Sequence, residues 1–468
     1  MTGHVGAARH VVVVGGGMSG LAAALAVRAA APVGTRITVV EQSGRLGGKL
    51  RTGEIAGLPT ELGAETFLVR TPEVVDLARS VGLELQNPVA ASASLLVDGV
   101  LRPLPGGTLL GVPTDPDAVE ASGVLPAAAV ARLRAESDEP GTPLGDADIA
   151  VGALLRPRLG DAVVDRLVDP LLGGVYAGRA DSLSLDVTVP ALAATARRHA
   201  SVVRAARAAR DAAPVAGGPV FGSVPGGLSR LVEAVAAASG AEFRLGLPVR
   251  ELRRTATGWR LVVGSPRDPE PLDADAVVLA VPASPAARLL GAVSAAAAAD
   301  VGVLDYASVG LVTLALPEGE LPAGSGLLVP ATEGLTVKAV TFLSQKWGTP
   351  GRIVRASVGR YGEEAVLQRS DEELVAAVTA DLGRIIGTPV RPLETRVTRW
   401  GGALPQYAPG HRDRVRRARA ALEEYGTLAL AGAAYDGVGI PACVRSGTAA
   451  GTRVGQALRT GAESAHGR

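Results

Sequence analysis

Several residue types are scarce in these 468 residues, and each shortage narrows what the chain can be. A single cysteine, Cys443, leaves no disulfide framework and no thiolate cluster. The five histidines are scattered without ligand spacing, so no zinc or iron centre is expected. Lysine is nearly absent: Lys49, Lys338 and Lys346 are three among 47 basic residues. With 3% aromatics and abundant alanine, that scarcity reads as the habit of a GC-rich genome. Neither sign of charge dominates, 47 basic residues facing 46 acids, so no summed field favours nucleic acid, and any anionic partner must be held locally. Long apolar runs are missing too. The stretch 11–27 is broken by Gly15, Gly16, Gly17 and Gly20, ends at Arg28, and falls short of the ~20 apolar residues a membrane span needs. It has neither a basic leader nor a small-residue cleavage site, and the expectation is a cytoplasmic protein, soluble or in peripheral contact with a membrane.

What is present suits a globular enzyme: 47% hydrophobic residues with 60 glycines and 32 prolines. The length is about three times a ~150-residue domain, which implies two or three domains or one large discontinuous one. Near the start, His10 to Val14 is a run that reads as a buried strand. It is followed by Gly15-Gly16-Gly17-Met18-Ser19-Gly20 and then by an Ala/Leu-rich helix pattern from Leu21 to Ala30. Strand, glycine turn and helix in that order form a dinucleotide fingerprint. Gly15 makes the turn, Gly17 admits a pyrophosphate to the backbone, and Gly20 allows helix and strand to pack closely. The phosphate charge then lies at the helix N-terminus. A second strand, Arg36 to Val40, ends in Glu41, where a carboxylate can accept from a ribose diol, which favours FAD or NAD over NADP.

Two further elements separate FAD from NAD. Arg45-Leu46-Gly47-Gly48-Lys49 and Glu61-Leu62-Gly63-Ala64-Glu65 together resemble the flavin-binding pattern of the monoamine oxidase and protoporphyrinogen oxidase superfamily. The resemblance implies that the first lies along the pyrophosphate, with Gln42 and Lys49 beside it, and that the second, with Thr66, passes beside the flavin ring. Later blocks extend the likeness over the chain. Phe221 to Leu228 precedes a helix over Ser229 to Ala238 and a strand near Phe243 to Leu245, after which Val249 is implied at the adenine end. Asp275 to Val281 is a strand that exits at Pro282. Thr427 to Gly432 is a last strand, followed by Ala433-Ala434-Tyr435-Asp436-Gly437-Val438-Gly439-Ile440-Pro441 and a helix from about Ser446. Ala433 stands where many superfamily members have an acid.

Asp169 to Gly178, Val358 to Glu364, and the group Arg399-Trp400, Pro405-Gln406-Tyr407 and Gly410-His411 narrow the likeness to the protoporphyrinogen and coproporphyrinogen III oxidase family, and most to its bacterial coproporphyrinogen III type. That family implies an α/β fold: a discontinuous FAD-binding Rossmann-like domain, a mixed-sheet substrate domain and an inserted helical cap. The expected division gives 1–70, 212–290 and 416–468 to the FAD domain, 71–114 and 291–415 to the substrate domain, and 115–211 to a helical cap of the kind that often touches a membrane in that family. Within the cap, Arg197, Arg198, Arg204, Arg207 and Arg210 read either as a solvated helix face or as a membrane-surface patch. In the substrate domain, strands are expected at Leu311–Leu316, Val337–Phe342 and Ile353–Val358 around a helix at Asp371–Ile386.

The implied chemistry removes six electrons and six protons from a porphyrinogen, with FAD as the acceptor and dioxygen as the reoxidant. No protein group is assigned as catalytic acid or base. The resemblance adds Trp400, Val438, Gly439 and Ile440 to the cofactor residues, together with a product hand-off to a ferrochelatase and a monomeric or homodimeric state. Propionates call for cations, and Arg70, Lys338, Lys346 and Arg360 are the substrate candidates. Glu65 either steers charge or protons or is a structural acid. Where the eukaryotic branch has an arginine after a Leu-Pro turn, this chain has Leu104-Pro105-Gly106-Gly107-Thr108. A flavin amine oxidase, a carotenoid desaturase and a non-catalytic dinucleotide-binding protein remain as alternatives.

Overall fold

The computed structural model describes residues 8–90, 92–213 and 218–466, with side chains described through 460. Its central layer is a five-stranded sheet in the order Glu242–Arg244, Arg36–Val40, His10–Val14, Ala276–Leu279 and Leu428–Leu430, all neighbours parallel. Strands from the start, middle and tail of the chain therefore meet in one sheet. His10–Val14, Ala276–Leu279 and Leu428–Leu430 are buried on both faces and are almost wholly Val, Leu and Ala without polar alternation, as parallel strands require, whereas the edge strand Glu242–Arg244 is partly exposed. Val11 and Val13 face the helices Met18–Ala30 and Ile440–His466. Val12 and Val14 face a three-stranded antiparallel layer, Val249–Arg254, Trp259–Ser265 and Asp268–Ala274. The last helix begins at Ile440, six residues before the start expected from the pattern. Pro441 near its start explains the difference, since its missing N–H costs nothing there and its φ is already helical.

The second sheet has seven strands, ordered Glu394–Gln406, Asp305–Ala315, Ile353–Val358, Val337–Phe342, Gly326–Leu328, Ala93–Val97 and Val100–Pro103. The expected strand at 311–316 is the end of the longer Asp305–Ala315 strand, whose pairing is interrupted by a bulge between Ala307 and Val309. Helix Asp371–Ile386 covers one face with Leu374, Val378 and Leu382. Its start is fixed by a reciprocal cap between Ser370 and Glu373. The opposite face meets the 61–65 segment and the helices within 116–211.

Residues 116–211 are mainly helical around their own core, which includes Leu133, Leu155, Leu167 and Leu192. Three of the five cap arginines are tied to neighbours. Arg197 pairs with Asp186, Arg207 donates to the Thr114 carbonyl, and Arg210 donates to the Thr114 hydroxyl and the Gly107 carbonyl. Among the described residues no helix is long and apolar enough to cross a membrane, and no cluster of three or more His, Cys, Asp or Glu could hold a metal.

Candidate active site

The glycine turn is built by exclusion. Gly15 has φ +106°, and a Cβ there would lie 2.4 Å from the Ala280 carbonyl oxygen. One on Gly20 would lie 1.9 Å from the Gly15 carbonyl. Both positions are thus closed to any side chain, and the first helix packs directly onto its strand. Gly17 differs: its nearest neighbour to an added Cβ is Gly48 Cα at 4.0 Å, so the backbone stays approachable. The 45–49 loop is fastened over this turn by Gly47 N–H donating to the Gly16 carbonyl (2.8 Å). Arg45 holds the loop's curve by donating to the carbonyls of Leu46, Gly48 and Leu50, with its guanidinium 5.7 Å over the Trp400 ring. Burial lowers the Arg45 pKa. Glu41 accepts Gly16 N–H at 2.7 Å and Ser43 N–H at 2.8 Å, one on each oxygen. Each oxygen retains acceptor capacity for a further donor. Gln42 is exposed, and Ser19 is buried behind the turn.

The first and last helices run parallel in close contact, because the last presents glycines at four-residue spacing. Cβ atoms on Gly447 and Gly451 would lie 2.0 Å from the Ser19 carbonyl and 2.2 Å from the Ala23 carbonyl, and one on Gly455 would meet Ala30 at 2.9 Å. Both N-termini consequently emerge at the same end of the sheet. Neither has an acid in its own first turn, so two positive dipole ends face the same region. Gly437 and Gly439, at φ +114° and +97°, shape the entry to the last helix, next to Val438 and Ile440. Lys49 and the half-buried Cys443 lie close enough to influence each other. Desolvation lowers the lysine pKa, while burial raises that of the thiol.

The 61–66 strip is pinned between this cradle and the second sheet. A Cβ on Gly63 would lie 2.1 Å from the Lys49 carbonyl, and Ala64 N–H donates to that carbonyl at 3.1 Å. Trp400 Nε1–H donates to the Leu62 carbonyl (2.7 Å). Glu65, 6% exposed, accepts the Lys346 ammonium (2.7 Å), the Trp347 indole N–H (3.0 Å) and the Arg355 guanidinium. Burial alone would raise its pKa, but Arg355 and Lys346 outweigh that and hold it below the usual carboxylate value. Arg355 also donates to the carbonyls of Glu61 and Gly63. The sequence reading missed Arg355. Its only signal was a lone arginine amid the alternating Val354, Ala356 and Val358 of a buried strand.

The remaining candidates are dispersed. Val249 is buried, paired to Val263 in the layer behind Val14 and Val40. Thr66 is half-buried in the strip. Arg70 is exposed beyond it. Lys346 is engaged by Glu65 and is not a free cation. Lys338 and Arg360 come together with Arg179 in a pocket between the second sheet and the cap helix Asp169–Tyr176. Tyr407, almost fully buried, donates its hydroxyl to the Ala433 carbonyl at 2.5 Å, next to Tyr176 and His411.

These features fit FAD. An approachable glycine backbone and two helix N-termini suit a diphosphate, a carboxylate anchored to the turn suits a ribose diol, and a peptide strip pressed against the same loop suits a flat ring. The comparisons agree. Residues 18–455 match the model of flavin containing amine oxidoreductases. The coproporphyrinogen III oxidase of Mycobacterium tuberculosis (strain ATCC 25618 / H37Rv) is 41% identical, over 96% of this chain and 98% of that one. That of Bacillus subtilis (strain 168) is 32% identical, over 94% and 97%. A solved structure described as a protoporphyrinogen oxidase from Exiguobacterium sp. 255-15 superimposes with a TM-score of 0.85 at 33% identity, covering 96% of this chain and 98% of that chain. Cyclohexylamine oxidase from Brevibacterium oxydans, at 19% identity and a TM-score of 0.71, shares the fold. The chain belongs to the flavin-containing amine oxidoreductase family and, within it, to the coproporphyrinogen III oxidases.

Proposed function

We propose that this chain oxidises coproporphyrinogen III to coproporphyrin III in haem biosynthesis, with FAD as cofactor and dioxygen as terminal acceptor. The observation that carries this reading is the near full-length identity to chains of that name, which spans the cradle, the second sheet and the cap. When bound, FAD accepts the six electrons of the macrocycle in three two-electron steps.

The residues of the chain bind and position. Gly15 to Gly20, Glu41 and the two helix N-termini hold the dinucleotide, and the Arg45–Lys49 loop closes over it. The Leu62–Thr66 strip, fixed by Trp400, Arg355 and Lys346, sets the wall beside the ring. Glu65 already accepts from three donors and serves to hold this wall in place. The ring aromaticity gained by the product drives the loss of the pyrrole and methylene protons, and water takes them up. Trp347 and Trp400 are likewise engaged with Glu65 and Leu62, which fixes their rings.

Mixing the yellow holoprotein anaerobically with coproporphyrinogen III, protoporphyrinogen IX or a primary amine tests the reading. Bleaching of the flavin band with growth of porphyrin fluorescence is expected from coproporphyrinogen III. Bleaching by the amine and by neither porphyrinogen would overturn it.

A further inference from the structure

Lys338 stands on the Val337–Phe342 strand and is only 6% exposed. Among the described residues its ammonium has no hydrogen-bond or ion-pair partner. A buried cation left unpaired is costly, and proteins rarely keep one without an anion to meet. The charged groups around it are Arg360 from the turn after the next strand, Asp169 and Arg179 from the cap, and Glu363. Both carboxylates are already claimed. Asp169 accepts Ala180 N–H at 2.6 Å and faces Arg179 at 3.7 Å, while Glu363 is paired with Arg179 and lies 3.8 Å from Arg360. Arg360 itself donates to the Val329 carbonyl at 3.0 Å. Three cations therefore face two carboxylates, and the excess charge is that of Lys338. Burial, with Arg360 adding repulsion, pushes its pKa down to about 7.

The pocket that these groups line has room of about 10 Å³, the space of roughly one water-sized oxygen. It lies on the face of the sheet opposite helix Asp371–Ile386. Arg355, which reaches the 61–66 strip, projects from the same face. On the paired strands Arg355 is opposite Thr341, three residues from Lys338, and the bulge between Val337 and Ala339 turns Lys338 to the same face; the separation is at most about 10 Å at ~3.3 Å per residue. The pocket is therefore one short strand length from the wall proposed to flank the flavin.

We propose that the pocket of Lys338 and Arg360 receives one carboxylate oxygen of a porphyrinogen propionate and favours a four-propionate over a two-propionate macrocycle. This rests on the reading of the chain as a porphyrinogen oxidase. The bond is a charge-assisted hydrogen bond from the Lys338 ammonium, and Arg360 adds a second positive group beside it. The propionate enters tip-first, because the pocket is too small for its methylenes.

The test uses the FAD-loaded holoenzyme and its variants Lys338→Met, which removes the charge while keeping an unbranched apolar stem, and Lys338→Arg. Flavin occupancy and thermal unfolding establish that each variant is folded. Binding of coproporphyrin III and of its tetramethyl ester, measured by porphyrin fluorescence, isolates the carboxylate contribution. For Lys338→Met a roughly tenfold weaker Kd for the free acid is expected, with the ester changed less than twofold and partial recovery in Lys338→Arg. Anaerobic flavin reduction should slow more for coproporphyrinogen III than for protoporphyrinogen IX. In the wild type, acid affinity should fall as pH rises above about 7, and Lys338→Met should lack that dependence. Equal losses for acid and ester, or no loss for either, would overturn the pocket's role while leaving the oxidase reading intact. Failure of the wild-type flavin to be reduced by either porphyrinogen would overturn both.

Discussion

Gly447 in the last helix rests against the carbonyl oxygen of Ser19 in the first, so closely that a Cβ would lie 2.0 Å from it. The same contact brings two helix N-termini to one end of the central sheet, and the two dipoles repel each other unless an anion lies between them. Packing and cofactor binding are therefore coupled at this position. Gly447→Ala should push the helices apart at the end proposed to hold the cofactor, costing ~1–3 kcal/mol of stability from overpacking. It should also weaken FAD retention. Gly455→Ala, at the far end of the stripe, should lower the unfolding temperature with little loss of FAD. Measuring both quantities for both variants checks the coupling, and equal FAD retention in the two would contradict it.

Glu41 joins the turn to the second strand through Gly16 N–H and Ser43 N–H. Glu41→Gln preserves the size and one acceptor oxygen but puts an amide donor where a ribose hydroxyl would donate. A hydrogen bond to a charged group contributes ~1.5–3 kcal/mol, so its loss corresponds to roughly ten- to hundredfold in Kd. Glu41→Lys should retain still less cofactor. Titration of apoprotein with FAD, followed by quenching of flavin fluorescence, reads the difference directly.

How far the sequence could be read depended on whether a feature was local. The strand at His10–Val14, the glycine turn and the strand at Arg36–Val40 are legible because turn and period are written in consecutive residues. Helix Asp371–Ile386 was recoverable with the same bounds, since Ser370 and Gly387 mark its ends. The engagement of Lys346 was not recoverable. Its partner Glu65 is far away in the sequence, and nothing near either residue marks the pairing. Arg355 looked like any other arginine in the chain until the fold aimed it at the 61–66 strip. The glycines at 447, 451 and 455 did have a readable four-residue spacing, but which helix they accommodate is a tertiary fact.

His411 is 2% exposed, lies 4.6 Å from the Tyr407 ring, and among the described residues neither of its ring nitrogens has a partner. Burial holds its pKa down to about 4, with Arg414 acting in the same direction and Asp148 opposing it. The unfolded chain, titrating near the ordinary 6.5, binds the proton first as pH falls. Stability should therefore decline between about pH 6.5 and 4. His411→Phe keeps a flat ring against Tyr407 and removes the titration. If His411 is responsible for the decline, the denaturant midpoint of the wild type should fall relative to that of the variant as pH drops through that window.

Glu65 acts in a lower window and with the opposite chemistry. Arg355 and Lys346 hold its pKa below the ordinary 4.5, so its stabilising contribution is complete above that value. The contribution is lost as pH falls through the folded-state pKa. Glu65→Gln removes the charge at all pH values and leaves two buried cations facing a neutral amide, a loss of ~3–5 kcal/mol expected at neutral pH. The wild type should approach the stability of the variant as acid protonates Glu65, whereas the His411 effect above pH 4.5 should be the same in both proteins. Because Glu65 also fixes the strip proposed to lie beside the flavin, the visible flavin spectrum of Glu65→Gln should shift at neutral pH. A variant that retained both wild-type stability and the wild-type spectrum would show that Trp400, the Arg355 contacts to Glu61 and Gly63, and the Ala64 bond to Lys49 hold the strip without Glu65.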